Sequence, residues 1–560
     1  MVLPDEQLAD LVVKAGLADA AKITTAFDHV KRASTTFEEA LLEKGIVSDE
    51  QLGQIVAGYL KLPFVNLAKA SIPEDVFSLI PPLVARKQKA VAFYRGPEGV
   101  KVALSTPPKA ELLELLAKKT NSKILPHYAT FTDIQNTLHL FKKDLQVEVD
   151  NLLKQDIGRP TTISDDPPVA KIVDLLIDTA YEEKASDIHI EPQETVSQIR
   201  FRIDGMLQDV VSVSKYLHDR VITRIKVLSN LRTDEHLAAQ DGKMRVPLEE
   251  ENLDIRVSIL PIVDGEKAVL RLLSSRSRLY SLQNLGMNEV DLQKVYHAYS
   301  KSYGMILSTG PTGSGKTTSI YSILKILNTR EKNITTVEDP VEYRIMGANQ
   351  VQVNTKTNLT FANGLRSILR QDPNIIFVGE IRDSETAGIA VNAALTGHLV
   401  VSTLHTNDAA TAIPRLTDMK VEPFLVASTV TIVVAQRLVR RICDNCKIHL
   451  ELTSEELAKN FPSEVLKRNL GAKKTLTISR GKGCKICRNT GYVGRIGLFE
   501  VLEITPDIKK LITQKSDADV IARAAISEGM KTMFDDGIEK IIHGATTVEE
   551  VLRVTKSEFV

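Results

Sequence analysis

Eight consecutive residues, Gly310-Pro311-Thr312-Gly313-Ser314-Gly315-Lys316-Thr317, constrain this chain more tightly than any other segment. Three glycines let a loop curl so that successive backbone N–H groups face one point, provided that a strand enters it and a helix leaves it. The preceding run, Gly304-Met-Ile-Leu-Ser-Thr309, has the length and apolarity of a short buried strand. Residues 318–327 carry apolar side chains at helical spacing. In that setting the loop and the helix N-terminus form a phosphate cradle running from Gly310 to Thr318. Lys316 is placed to reach the β- and γ-phosphates, and the Thr317 hydroxyl to hold Mg²⁺. A glycine-rich turn could match by accident in roughly one of some tens of chains this long. The strand–loop–helix context removes most of that chance, and the segment reads as a site for ATP or GTP.

A chain of 560 residues exceeds what one hydrophobic core supports, so several domains are expected. Lys+Arg and Asp+Glu number 71 each, which supplies no global basic field for nucleic acid. Aromatics make up 5%, with no Trp, which leaves little for a base-stacking platform and argues against a DNA-translocating motor. The start of the chain carries Asp5, Glu6 and Asp10 instead of a basic-then-apolar leader. One uncharged stretch, 386–407, is long enough to span a membrane, but Asn392, Thr396, His398, Ser402 and His405 make it too polar. It reads as a buried helix, a Thr-Gly-His turn and a buried strand. A cytoplasmic protein is expected, reaching a membrane only through partners.

All four cysteines fall in two Cys-x-x-Cys pairs, Cys443/Cys446 and Cys484/Cys487. Two such pairs match a tetrahedral four-thiolate zinc site, structural because no coordination position stays open. The insert between them contains a helix-like segment, 454–470, so a small subdomain must fold there. Arg440, Arg441 and Lys447 near the first pair, and Lys482, Lys485 and Arg488 near the second, would favour thiolates.

Along the chain, Leu8-Ala-Asp-Leu-Val-Val-Lys-Ala-Gly16-Leu17 aligns with Phe37-Glu-Glu-Ala-Leu-Leu-Glu-Lys-Gly45-Ile46. Helical half-repeats are therefore expected over 1–62, followed by an αβ segment to 145. Polar residues at 146–166 read as a linker, 167–278 as a second α+β domain, and 279–560 as an α/β P-loop core with a zinc-binding insert at about 440–490.

Two strand ends offer acids to this core. Ile375-Ile-Phe-Val-Gly379-Glu380 has the form of a Walker B strand with Gly379 where an Asp is usual. Glu380 is thus the first candidate for orienting the attacking water, with a Mg²⁺ role also open. A second strand, 333–337, runs into Glu338-Asp-Pro-Val-Glu342, and a third ends at His405.

Together these segments resemble the hexameric ATPases of type II secretion and type IV pilus systems. Thr336-Val-Glu-Asp-Pro-Val-Glu342 is similar to their aspartate box, Phe377-Val-Gly-Glu-Ile-Arg-Asp383 to their Walker B, and Thr396 to Asp408 to their histidine box. Ala185-Ser-Asp-Ile-His-Ile-Glu-Pro192 and Gln240-Asp-Gly-Lys-Met-Arg245 resemble signatures of their second N-terminal, PAS-like domain, and Ala435-Gln-Arg-Leu-Val-Arg440 part of their C-terminal region. The resemblance implies a RecA-like core, ATP as the nucleotide, Glu338 and Glu380 as catalytic acids alongside Lys316, and His405 as a γ-phosphate sensor. It also implies a homohexamer in which Arg256 and Arg271 enter the neighbouring subunit's site. The zinc pairs and the N-terminal region distinguish the chain from pilus-retraction members. They fit pilus-assembly members, located peripherally at the inner membrane and working on a platform protein there, with type II secretion as the alternative. In relatives the half-repeats can bind cyclic di-GMP through an Arg-Leu-Gly start. Here those positions read Gln7-Leu8-Ala9 and Thr36-Phe37-Glu38, which favours a docking module for a partner such as a cytoplasmic regulatory protein.

Overall fold

The N-terminal repeat folds as two helix pairs, Asp5–Lys14 with Ala20–Ala33 and Phe37–Glu43 with Asp49–Leu60. The first helix of each pair stops at a glycine in the left-handed region, Gly16 at φ 71° and Gly45 at φ 63°. Leu17 N–H then donates to the Val12 carbonyl and Ile46 N–H to that of Leu41, the same turn at the same place in both halves. In the computed structural model the described residues are 3–33, 36–70, 72–138, 145–157, 168–248, 251–274, 281–458, 461–470, 475–484 and 487–555. They fall into two units, one built from 1–137 with 278–560 and the other from 138–277.

Within the first unit the repeat is followed by a three-stranded sheet, β1 (Ala90–Gly96), β2 (Gly99–Leu104) and β3 (Ile124–Tyr128), antiparallel then parallel. Lys44, only 8% exposed, donates from Nζ to the carbonyls of Lys325 (2.6 Å) and Asn328 (2.7 Å). An ammonium there meets the negative end of helix Lys316–Leu327, the helix whose other end begins at the glycine loop.

The second unit is a six-stranded antiparallel sheet of β4 (Asp187–Pro192), β5 (Val196–Ile203), β6 (Met206–Ser214), β7 (Gln240–Pro247), β8 (Asn252–Ile262) and β9 (Gly265–Leu273), in the order β6-β5-β4-β9-β8-β7. Ile188, Phe201, Ile255 and Leu270 lie in its buried core with residues of helices Val169–Glu182 and Lys215–Leu228. The expected linker is partly helix. Leu145–Ile157 is helical, and Leu145 and Val149 are buried in the same core. Apolar residues at i, i+4, i+7 and i+8 among Gln, Glu and Asp make one narrow stripe, which a reading of overall polarity misses. The rest of that linker, 158–166, and the boundaries at 166–167 and 278–279 lie outside the described residues.

The remainder of the first unit centres on β10 (Gly304–Thr309), β11 (Ile334–Glu338), β12 (Ala348–Gln352), β13 (Ile375–Val378), β14 (Leu399–Leu404) and β15 (Val430–Ile442). A two-stranded insert, β16 (Lys447–Thr453) and β17 (Thr475–Gly481), precedes β18 (Tyr492–Glu503). The seven-stranded sheet runs β12-β11-β13-β14-β10-β15-β18 and is parallel except for β18. Because β10 lies between β14 and β15 and not beside β11, the chain order reverses there, and a crevice opens at the C-terminal strand ends. The stretch 386–407 forms the helix, turn and buried strand expected of it. The single helical segment expected at 454–470 is two helices, Ser454–Ala458 and Ser463–Leu470, with Pro462 as N-terminal neighbour of the second. Among the described residues no helix is long and apolar enough to cross a membrane.

Candidate nucleotide and metal sites

The glycine loop follows a wholly buried β10. Gly310, Gly313 and Gly315 take φ of 145°, 80° and 89°. A Cβ on Gly310 would lie 2.6 Å from the Gln436 carbonyl oxygen and 2.7 Å from Ser314 Oγ, so only glycine fits. Gln436, on β15, grips the loop from behind by donating Nε2 to the Ser314 carbonyl at 2.7 Å. Lys316 is buried and folds its ammonium onto the loop's own carbonyls, Gly310 at 2.6 Å and Pro311 at 3.1 Å. Burial pulls its pKa down to about 8, with the Glu380 carboxylate opposing the shift and the buried Arg437 adding to it. The Thr317 hydroxyl has no hydrogen-bond partner among the described residues.

Two stitches carry the neighbouring strand ends to this loop. Thr309 Oγ1 meets Thr406 Oγ1 at 2.6 Å and accepts from Thr406 N–H at 2.9 Å. Thr403 Oγ1 donates to the Gly379 carbonyl at 2.7 Å, and Ile381 N–H to Thr403. They bring His405 and Glu380 together, Nε2 to Oε2 at 3.2 Å, and Arg382 Nε joins the same oxygen at 2.7 Å. Glu380 Oε1 has no partner among the described residues. At Gly379, where an Asp is usual, a Cβ would lie 3.2 Å from the Val337 carbonyl oxygen and 3.3 Å from Glu338 Cα, a tight fit.

Glu338 sits differently from Glu380. It is 3% exposed, accepts from Tyr321 Oη and Thr336 Oγ1, and takes Gln350 Nε2 at 3.1 Å. Burial raises its pKa above the ordinary carboxylate value despite these donors. Both of its oxygens are engaged, whereas Glu380 keeps one oxygen uncommitted. Thr309, Thr406, Gln436 and Arg437 had drawn no individual role from the sequence. Arg437 is 4% exposed and donates to the carbonyls of Gln436 (3.1 Å) and Asn407 (2.7 Å). Gln436 and Arg437 stand in a quoted motif, but only the sheet order brings that motif to the loop.

The four cysteines converge. Sγ–Sγ distances are 3.9 Å for Cys443–Cys484, 3.8 Å for Cys446–Cys487 and 3.6 Å for Cys484–Cys487, all four within 4.8 Å of one another. Metal–sulfur bonds of about 2.3 Å in a tetrahedron require sulfur separations of about 3.8 Å. Gly483 N–H donates to Cys446 Sγ at 3.3 Å and Gly491 N–H to Cys487 Sγ at 3.2 Å. Burial pushes the Cys443 and Cys446 thiols up, whereas at Cys484 burial is outweighed by hydrogen bonds from Cys487 and Asn445, which bring its thiol down to about 7. Of the basic residues near the cysteines, Arg440 pairs with Glu550 and Arg441 with Asp444. Lys485 lies outside the described residues.

In the second unit Arg256 and Arg271 are direct cross-strand partners on β8 and β9. Arg271 donates from Nε to Asp187 Oδ1 at 3.0 Å.

A mostly parallel sheet with this loop at its point of order reversal defines a RecA-like P-loop ATPase. The fold matches the crystal structure of the Legionella pneumophila ATPase DotB with a TM-score of 0.52 at 21% identity, covering 71% of this chain and 98% of that one. A profile of the type II/IV secretion system protein family matches residues 162–553, and one of the MshEN domain matches 60–147. The chain belongs to the type II/IV secretion ATPase family. It is 35% identical to the type IV pilus assembly ATPase PilB of Myxococcus xanthus over 98% of both chains. It is 40% identical to the Thermus thermophilus protein of that name over 94% of this chain and 60% of that one. The type II secretion system protein E of Pseudomonas aeruginosa is 44% identical over 73% of this chain and 78% of its own.

The Lys316 shift has a measurable consequence. Phosphate selects the ammonium form, which is present below about pH 8 and lost from the free protein as pH rises through that value. Above it, nucleotide binding must take up a proton, and affinity should fall by up to about tenfold per pH unit. Calorimetric ADP titrations in buffers of different ionisation enthalpy should report that proton uptake, and a flat profile would remove the shift.

Proposed function

We propose that this protein is a cytoplasmic, homohexameric ATPase, peripheral at the inner membrane, that converts hydrolysis into domain motion and drives pilin polymerisation in type IV pilus assembly through a membrane platform protein. The carrying observation is that a pilus-assembly relative aligns over 98% of this chain and 98% of its own. Type II secretion remains the second reading because its relatives, over the shorter shared part, are the more similar at 44% identity.

In this reading the loop N–H groups and Lys316 hold the phosphates of ATP. The uncommitted Thr317 hydroxyl would hold Mg²⁺, which when bound neutralises charge on the β- and γ-oxygens. The resting His405–Glu380 pair leaves the imidazole half-exposed. A charge-assisted bond to a γ-phosphate oxygen competes with that pair. In this reading His405 turns to the phosphate, and Glu380 is freed to orient water. Glu338, buried and fully bonded, supports the site from the tip of β11. Arg256 and Arg271 are supplied by the neighbouring subunit, where a planar guanidinium can pair bidentately with the phosphoryl group. The cysteine cluster holds Zn²⁺ as a cross-link of the insert.

Deleting the gene should abolish surface pili and leave export of type II substrates intact; loss of export with pili retained would transfer the assignment to type II secretion. Glu380→Gln should lower turnover by about 100-fold or more with nucleotide affinity kept, whereas Lys316→Ala should weaken binding itself. If Glu380→Gln turns over normally, Glu338 becomes the candidate. Metal analysis should find about one zinc per chain, with Cys443→Ser losing both the metal and early-unfolding resistance. Metal-free protein purified without chelator would refute the zinc assignment.

A further inference from the structure

One cross-strand row of the second unit carries Lys243 on β7, Arg256 on β8, Arg271 on β9, Asp187 on β4 and Arg202 on β5. It lies on the face opposite the core, since the adjacent Met244, Ile255, Leu272, Ile188 and Phe201 are buried. Like charges directly opposite each other destabilise a sheet, so three consecutive cations need a reason, and the row contains a single carboxylate. The Asp187 side chain is only 6% exposed. Its Oδ1 accepts from Arg271 Nε at 3.0 Å, and its Oδ2 meets Arg202 Nε at 3.4 Å and accepts from Ser186 Oγ at 2.8 Å. Arg271 remains 59% exposed, and its two terminal nitrogens make no hydrogen bond among the described residues.

We infer that Asp187 is a positioning residue for Arg271. The inference rests on the trans-arginine reading above and extends it. A carboxylate that takes the Nε–H fixes the plane of the guanidinium and leaves both terminal N–H groups directed away, the pair needed for bidentate contact with phosphoryl oxygens of a nucleotide held by a neighbouring copy. Arg202 and Ser186, bound to the other oxygen, keep the carboxylate from rotating. Without Asp187 the arginine would retain its charge but search many orientations, so turnover suffers while binding at the P-loop does not.

The test uses the full-length oligomer. Asp187→Asn should lower kcat about tenfold with the ADP dissociation constant unchanged. The double variant Asp187→Asn/Arg271→Ala should be no slower than Arg271→Ala alone, because the two act through one group. Mixing Asp187→Asn chains with Lys316→Ala chains should restore part of the hydrolysis, as mixing Arg271→Ala with Lys316→Ala should. Arg202→Gln, on the other oxygen of the bridge, should cost about threefold in the same non-additive way, and it serves if Asp187→Asn does not fold. Wild-type turnover in Asp187→Asn or Arg202→Gln alongside an impaired Arg271→Ala would overturn the positioning role. Additive losses would reduce Asp187 to a structural ion pair. Wild-type turnover in Arg271→Ala would instead sink the trans-arginine reading, and this inference with it.

Discussion

The tight curl of the glycine loop, between a wholly buried β10 and helix Lys316–Leu327, is the constraint on which the neighbouring features of the larger unit depend. Glycine is required at Gly310 because the Gln436 carbonyl occupies the space of a Cβ. Gln436 in turn ties the loop to β15. Lys316, drawn into the same buried setting, sits on loop carbonyls. At the far end of the helix that begins with Lys316, the buried Lys44 meets the terminal carbonyls. Cations thus stand at both ends of one helix.

The two acids show how burial divides roles that share a residue type. Glu338 is enclosed, its charge answered by a tyrosine, a threonine and a glutamine. Glu380 stands at the crevice, answered on one oxygen by His405 and Arg382 and open on the other. A buried carboxylate with both oxygens already held by protein donors is poorly placed to accept a proton from water. The two acids stand at the ends of neighbouring strands, β11 and β13, where a Cβ on Gly379 would fit only tightly against Val337 and Glu338.

The cysteine cluster lies beside a thin part of the fold. The described residues of the insert form short helices and two strands, and its apolar residues Leu457, Phe461, Val465 and Leu476 share a cluster with Phe534, Ile538 and Val551 of the C-terminal helices. In the second unit the same economy of contacts appears on the polar sheet face, where one buried carboxylate restrains two arginines.

By itself the sequence determined the glycine loop and its flanking strand and helix, the paired cysteines, the N-terminal repeat and the strand-end residues Glu380, Glu338 and His405. These are local patterns, in which backbone freedom, ligand spacing or apolar period is written in neighbouring residues. It did not reveal the helix Leu145–Ile157, whose narrow apolar stripe is outnumbered by polar residues, nor the break at Pro462 within the insert. Tertiary structure alone decided that Gln436 and Arg437 back the loop, that Arg440 serves Glu550 and not the cysteines, that Glu338 is buried while Glu380 is open, and that Asp187 lies between Arg271 and Arg202. Each of these depends on strand order and register, which bring together residues tens to more than a hundred positions apart, and such pairings leave no periodic trace in a single chain.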